Sequence, residues 1–198
     1  MTLAKTYVDR GVAASDDEAA LVERARRGEE VAFAALVRAY ETPLYRYICR
    51  LQGDPTEAKD LFQETFLRVH LNWKSFRPGS PFKPWLYRIA TNLCLDRLRQ
   101  RNRRGWFSFF GEEHAAEAAL PSPRSNPSEL AQATEGADRL EAAVATLSTG
   151  HRAVFLMARV EGMTYDEIAV ALDVPVGTVK SRMYNAVKQL LDATKDLR

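Results

Sequence analysis
The 198-residue chain holds two cysteines, three histidines and no apolar run near the ~20 residues that span a bilayer. The last absence leaves no segment for membrane insertion. Residues 1–14, with Lys5, Asp9 and Arg10, lack the unbroken apolar core of a secretory signal, which predicts a cytoplasmic protein. Cys49 and Cys94 stand far apart on apolar helical faces, outside any Cys-x-x-Cys pair, and are expected as buried free thiols. His70, His114 and His151 have no ligand-like spacing, so neither metal nor cofactor is expected. Asp60 and Glu64 could pair as carboxylates, but no His, Cys or phosphate loop joins them, which argues against an enzyme and leaves no catalytic residue to name. Strand-like alternation is also nearly absent.

What the chain does have is 46% hydrophobic and 27% charged residues, with frequent Ala, Leu, Arg and Glu. That predicts an all-α protein, large enough for one ordinary core or two small helical domains. The net charge of +2 hides opposite blocks: residues 97–104 carry five arginines and no acid, whereas 105–135 hold five glutamates against the single Arg124.

The most informative stretch runs from Met163 to Leu190. Thr164 and Glu167 form a capping box, Ile168, Ala169 and Leu172 make an apolar face, and Asp173, Val174 and Pro175 interrupt it before a second helix. In that helix Val179, Met183, Ala186, Val187 and Leu190 share the buried face, leaving Thr178, Lys180, Ser181, Arg182, Tyr184, Asn185 and Lys188 outward. No carboxylate stands between Asp173 and Asp192, which suits a helix lying in a groove between phosphates. The plainer reading is the solvated face of a packed helical hairpin.

Further upstream, Ser15 and Glu18 predict another capping box and a helix near 16–27, ended by Gly28. An apolar face runs Phe33, Leu36, Val37, Tyr40, Leu44, Tyr47, Ile48 and Leu51 across Pro43, where the helix either kinks or gives way to a second one. Asp54 and Pro55 start a helix to about Trp73, with Ala58, Leu61, Phe62, Thr65, Phe66, Val69 and Trp73 as its core face. A second stripe, Asp60, Gln63, Glu64, Leu67 and Leu71, lies on a different face and mixes leucines with acids; it is either a partner surface or a set of isolated exposed leucines. The loop 75–84 is too rich in proline and glycine for helix. Pro84 or Trp85 opens another, with Leu86, Ile89, Ala90, Leu93 and Leu98 inward and Tyr87, Arg88, Thr91, Asn92, Asp96 and Arg99 on more polar faces. Aromatic and basic residues around this loop suit single-stranded nucleic acid, although Phe76, Phe82 and Trp85 can equally fill core. Residues 105–134 have no sustained period and read as a linker, in which Trp106, Phe107, Phe109 and Phe110 suggest a packed spot. A helix with Leu140, Ala143, Val144 and Leu147 follows, then one starting at Ser148 with Val154, Phe155, Ala158 and Val160, ended by Gly162.

Three segments, Asp60-Leu-Phe-Gln-Glu-Thr-Phe-Leu-Arg-Val, Trp85-Leu-Tyr-Arg-Ile-Ala-Thr-Asn-Leu-Cys-Leu-Asp-Arg-Leu-Arg, and Thr164-Tyr-Asp-Glu-Ile-Ala with Gly177-Thr-Val-Lys-Ser-Arg, occur in this order. In them the chain resembles the extracytoplasmic-function sigma factors of bacterial RNA polymerase. The resemblance implies an N-terminal extension 1–14, a sigma domain 2 over 15–104, an acidic flexible linker over 105–134 and a sigma domain 4 with helix-turn-helix over 135–198. It implies that Asp60, Gln63, Glu64, Leu67 and Leu71 dock on the clamp of the largest subunit of core polymerase. Phe76, Ser80, Phe82, Lys83, Tyr87, Arg88 and Asn92 would open the minus-ten element and capture a base, with Arg97, Arg99 and Arg101 on phosphates. Thr178, Lys180, Ser181, Arg182, Tyr184, Asn185 and Lys188 would read the minus-35 element in the duplex. Asn185 replaces an expected basic residue, and Lys59 stands where an acid is common. A thirty-residue linker reaches up to ~100 Å extended, enough for elements two to three turns apart at ~34 Å per turn. An anti-sigma factor is the implied regulator. The competing expectation is a conventional helix-turn-helix regulator that acts without polymerase.

Overall fold
The computed structural model describes residues 15–108 and 131–193. The extension 1–14, Phe109 and Phe110 of the aromatic cluster, His114 and most of the acidic linker lie outside the described residues, as do the side chains of Trp106 and Phe107. Among the described residues the chain is all-α: α1 (Ser15–Arg26), α2 (Glu30–Gln52), α3 (Pro55–Leu71), α4 (Phe82–Ser108), α5 (Ala131–Thr146), α6 (Thr149–Arg159), α7 (Tyr165–Leu172) and α8 (Val176–Ala193). A single 3-10 turn, Trp73–Ser75, follows α3. Helix therefore extends into both ends of the segment read as linker.

Two sequence ambiguities resolve in the N-terminal half. Helix α2 is continuous through Pro43, because Tyr40, Leu44, Tyr47 and Ile48 on either side are all buried and hold the axis despite the lost hydrogen bond. Glu18, read as half of a capping box, accepts a hydrogen bond from the Tyr40 hydroxyl and so ties α1 to α2. The start of α3 follows expectation: Asp54 Oδ1 accepts from the backbone N–H of Thr56 at 2.8 Å and of Glu57 at 3.3 Å, and Pro55 occupies the first turn. The helix stops two residues before Trp73, which begins the 3-10 turn.

Helices α2, α3 and α4 bury one another through Leu44, Ile48 and Leu51, Ala58, Leu61 and Val69, and Leu86, Ala90 and Cys94. Two polar contacts fix their register: the hydroxyls of Tyr47 and Thr91 lie 2.8 Å apart, and Gln52 Nε2 donates to the Cys94 carbonyl at 2.8 Å. Both are buried, where a satisfied hydrogen bond is much better than an orphaned group. Tyr87 and Thr91 thus depart from the polar faces assigned to them; both are buried, because α4 is covered on two sides.

In the C-terminal half, α6 buries Ala153, Val154, Leu156 and Met157. This face is shifted from the Val154, Phe155, Ala158 and Val160 stripe expected: Val154 is shared, while Phe155, Ala158 and Val160 are only partly covered, since α6 touches α2, α7 and α8 and needs more than one apolar side. Helix α7 buries Ile168 and Ala171, with Ala169 and Leu172 partly covered.

The two halves pack together, α4 on α7 and α2 on α6. Arg152 of α6 bridges them: its guanidinium donates to the main-chain carbonyls of Ala145, of Leu147 at 2.8 Å and of Leu51 on α2 at 3.3 Å. Arg50 pairs with Glu141 across the same junction at 2.9 Å.

Cys94 is buried and Cys49 half-buried, both as free thiols. Burial pushes the Cys94 thiol up to about 12 and raises that of Cys49 too, so neither carries much thiolate near neutrality. At pH 8 a disulfide reagent should modify Cys94 at least about ten-fold more slowly than a small-molecule thiol, and denaturant should restore ordinary reactivity. Rapid native labelling of Cys94, located by mass spectrometry, would contradict this burial.

Candidate nucleic-acid and partner interfaces
Helix α8 rests on the C-terminal core through Val179, Met183, Ala186 and Leu190, which turns its other side to solvent. On that side Lys180, Ser181, Tyr184, Asn185 and Lys188 are exposed, Tyr184 by 70%. Thr178 and Arg182 are half-buried. A Cβ placed on Gly150 would stand 3.7 Å from Arg182 Cζ, so this guanidinium packs over the start of α6 instead of projecting freely. The preceding turn is short because Asp173 ends α7 in the left-handed conformation (φ 55°) and Pro175 sits at the start of α8, its carbonyl accepting from the N–H of Thr178. Both halves of the Thr164–Glu167 capping box are made, at 3.2 Å to the threonine oxygen and 2.8 Å to the carboxylate. Thr164→Ala should cost about 1 kcal/mol in chemical unfolding; a change within error would remove the box from the forces that set the α7–α8 angle.

Helix α3 turns Ala58, Leu61, Thr65, Phe66 and Val69 inward. Its other side carries the second stripe: Asp60 and Gln63 are exposed, Glu64 pairs with Arg68 at 2.8 Å, and Leu67 and Leu71 are 51% and 68% exposed. The five residues form one outward surface, as the helical spacing requires.

The minus-ten candidates are divided. Phe76 and Phe82 are buried in an aromatic cluster in which Trp73 stacks on Phe82 and Trp85 with ring centroids 5.9 and 5.6 Å apart. In this arrangement they fill core. Ser80 is half-buried in the loop, its N–H donating to the Arg77 carbonyl at 3.1 Å. Asn92 and Arg101 are exposed, Arg99 pairs with Asp96 at 2.9 Å, and Arg97 lies 4.0 Å from Glu57.

Lys83, Tyr87 and Arg88 face the C-terminal half. The Tyr87 hydroxyl donates to Glu161 Oε2 at 2.5 Å, Lys83 Nζ donates to the Glu161 carbonyl at 2.5 Å, and Arg88 Nη2 meets Asp173 Oδ2 at 3.0 Å. Sequence reasoning missed Glu161 altogether: it lies in the turn between α6 and α7, and no periodic pattern marks a lone acid beside Gly162. Burial raises its carboxyl above the ordinary 4.5, against the opposing pull of the Tyr87 hydrogen bond and of Lys83, Arg50 and Arg46. A raised carboxyl holds its proton more tightly when folded. Its contribution to stability is therefore fully present below the ordinary value and is lost as pH climbs through the raised one. Urea unfolding across that window should fall more steeply with rising pH in the parent than in Glu161→Gln; parallel curves would show that the burial is relieved in solution.

With this geometry in view, residues 36–104 match the family described as Sigma-70 region 2, and residues 137–190 that described as Sigma-70, region 4. The "ECF RNA polymerase sigma factor SigE" of Mycolicibacterium smegmatis is 38% identical over 159 residues, 79% of this chain, which spans only 59% of that relative's length. The "RNA polymerase sigma-H factor" of Pseudomonas aeruginosa is 32% identical over 185 residues, 89% of this chain and 93% of the relative. Among solved structures, CnrH in complex with the cytosolic domain of CnrY aligns with a TM-score of 0.68 at 24% identity, over 91% of this chain and 99% of that one. The sigma factor RpoE in complex with the anti-sigma factor NepR from Bartonella quintana aligns with a TM-score of 0.65, also at 24% identity, over 84% of this chain and 98% of that one. The two solved structures bear on the fold alone. Fold and sequence define a protein with paired sigma-70 regions 2 and 4. More narrowly, the chain belongs to the extracytoplasmic-function sigma factors, being also 33% identical over 172 residues to the "ECF RNA polymerase sigma-E factor" of Salmonella typhimurium, 84% of this chain and 88% of that relative.

Proposed function
We propose that this chain binds core RNA polymerase through the outward stripe of α3, reads the minus-35 element with α8, and recognises and melts the minus-ten element with the 76–83 loop and α4. The observation that carries the reading is the α3 stripe: Leu67 and Leu71 are exposed beside Asp60 and Gln63, on a helix whose inner face already supplies its core. A self-sufficient DNA-binding regulator has no use for it, whereas an initiation factor needs a polymerase surface separate from its DNA surface. On α8, Lys180 and Lys188 supply phosphate contacts, Ser181, Tyr184 and Asn185 face base edges, and Arg182 and Thr178 flank them. Arg97, Arg99 and Arg101 hold the strand backbone. Melting is driven by binding energy to the unpaired strand and needs no catalytic residue or cofactor.

The protein works in the cytoplasm; in support, no helix among the described residues is long and apolar enough to cross a membrane. An anti-sigma factor is proposed as its regulator; the Bartonella quintana sigma factor RpoE, similar in fold, is in complex with the anti-sigma factor NepR.

Run-off transcription with core polymerase on genomic fragments tests the reading, and promoter-dependent transcripts are expected. Gel shifts with and without core polymerase separate it from a conventional regulator, which would bind duplex alone. Leu67→Glu should abolish core binding while unfolding free energy stays within about 0.5 kcal/mol of the parent, as for other surface changes; undiminished affinity would remove α3 as the docking surface.

A further inference from the structure
The outward side of α8 is not uniformly basic. With successive side chains about 100° apart, Ser181, Tyr184, Asn185 and Lys188 point most directly away from the buried line of Val179, Met183, Ala186 and Leu190. Lys180 and Arg182 fall on opposite flanks. Ahead of Lys188 the middle of the face is therefore neutral, with a cation at each edge. Arg182 is the one arginine of α8, and its guanidinium is held over the start of α6, 3.7 Å from where a Cβ on Gly150 would stand. The side chain that most often selects guanine is thus kept out of the middle. There the Ser181 hydroxyl already donates to the Thr178 carbonyl at 3.0 Å, and Tyr184, 70% exposed, offers a ring and a single hydroxyl. Asn185 differs from both. It is exposed, no hydrogen bond to another described residue engages its carboxamide, and that group presents a donor and an acceptor side by side in one plane. Gln189, the other carboxamide of α8, stands a turn nearer the C-terminus on the Arg182 flank.

We propose that Asn185 sets base identity in the upstream duplex element, and that the base it selects is adenine. The inference rests on the proposed minus-35 role of α8. Adenine shows the major groove an N6 donor beside the N7 acceptor, so Oδ1 of the carboxamide accepts from N6–H while Nδ2 donates to N7. Guanine shows two acceptors, O6 and N7, which would set Oδ1 against another oxygen. Cytosine and thymine each offer one polar group and leave half of the carboxamide unpaired. Lys180 and Arg182, on the two flanks, face the phosphates that wall the groove and strengthen binding to every sequence alike. Position and affinity thus come from the edges of the helix, and discrimination from its neutral middle.

The test combines the full chain with core polymerase and a pool of fully randomised DNA duplexes long enough to hold both promoter elements. Bound duplexes are recovered and sequenced, and the upstream of the two enriched blocks is compared between the parent, Asn185→Ala, Asn185→Arg and Lys180→Ala. All three changes lie at exposed positions of a helix, where substitution leaves the fold in place. The parent block is expected to hold one column in which adenine exceeds each other base by at least about five-fold. In Asn185→Ala that column alone evens out, and in Asn185→Arg it turns to guanine. Lys180→Ala lowers the recovery of all sequences and alters no column. The same block from the parent and Asn185→Ala, an Asn185-dependent column that holds another base, or adenine retained by Asn185→Arg would overturn the assignment and leave α8 as the duplex reader. A pool in which no upstream block emerges would remove the minus-35 role itself, and this inference with it.

Discussion
The Tyr87 hydroxyl lies 2.5 Å from Glu161 Oε2 at the point where the two halves meet, on a helix whose opposite side is sealed into the N-terminal core by Leu86, Ala90 and Cys94. A helix covered on two sides cannot display a continuous polar face, so any polar group on it must find a protein partner or stay at the rim. Thr91 finds Tyr47, Tyr87 finds Glu161, Lys83 and Arg88 find the turn before α7 and the end of α7, and Asn92 and the arginine end reach water. The placement of α7 and α8 against the rest follows from those pairings.

The helices and most buried stripes were legible in the sequence because their signals are local. Capping at Asp54 and Thr164, the stop near Gly28, and the 3.6-residue spacing of Val179, Met183, Ala186 and Leu190 depend on neighbours within a turn or two. Pro43 was not decidable from its own segment, because continuity there is enforced by Tyr40, Leu44 and Tyr47 packing on other helices. The α3 stripe was readable for the opposite reason: no described residue covers Leu67 or Leu71, so periodicity alone describes it.

Contacts between distant segments left no such trace. Glu161 and Tyr87 are 74 positions apart, and Arg88 and Asp173 are 85 apart. A tyrosine or arginine on a helix looks the same in sequence whether it meets solvent, a nucleotide or an acid from another part of the chain. The same limit applies to Phe76 and Phe82, whose stacking on Trp73 and Trp85 depends on how the 3-10 turn and the loop fold back over α4.

Arg152 adds a further consequence. Its guanidinium donates to three main-chain carbonyls, those of Leu51, Ala145 and Leu147. No substitution at those three positions, proline and glycine included, removes the oxygen that it binds. The charged pairs nearby, Arg50 with Glu141 and Arg88 with Asp173, can each be lost or reversed by one codon. The junction therefore combines three carbonyl acceptors indifferent to side-chain drift with electrostatic clasps that drift can retune, so that its strength can evolve while its register stays fixed.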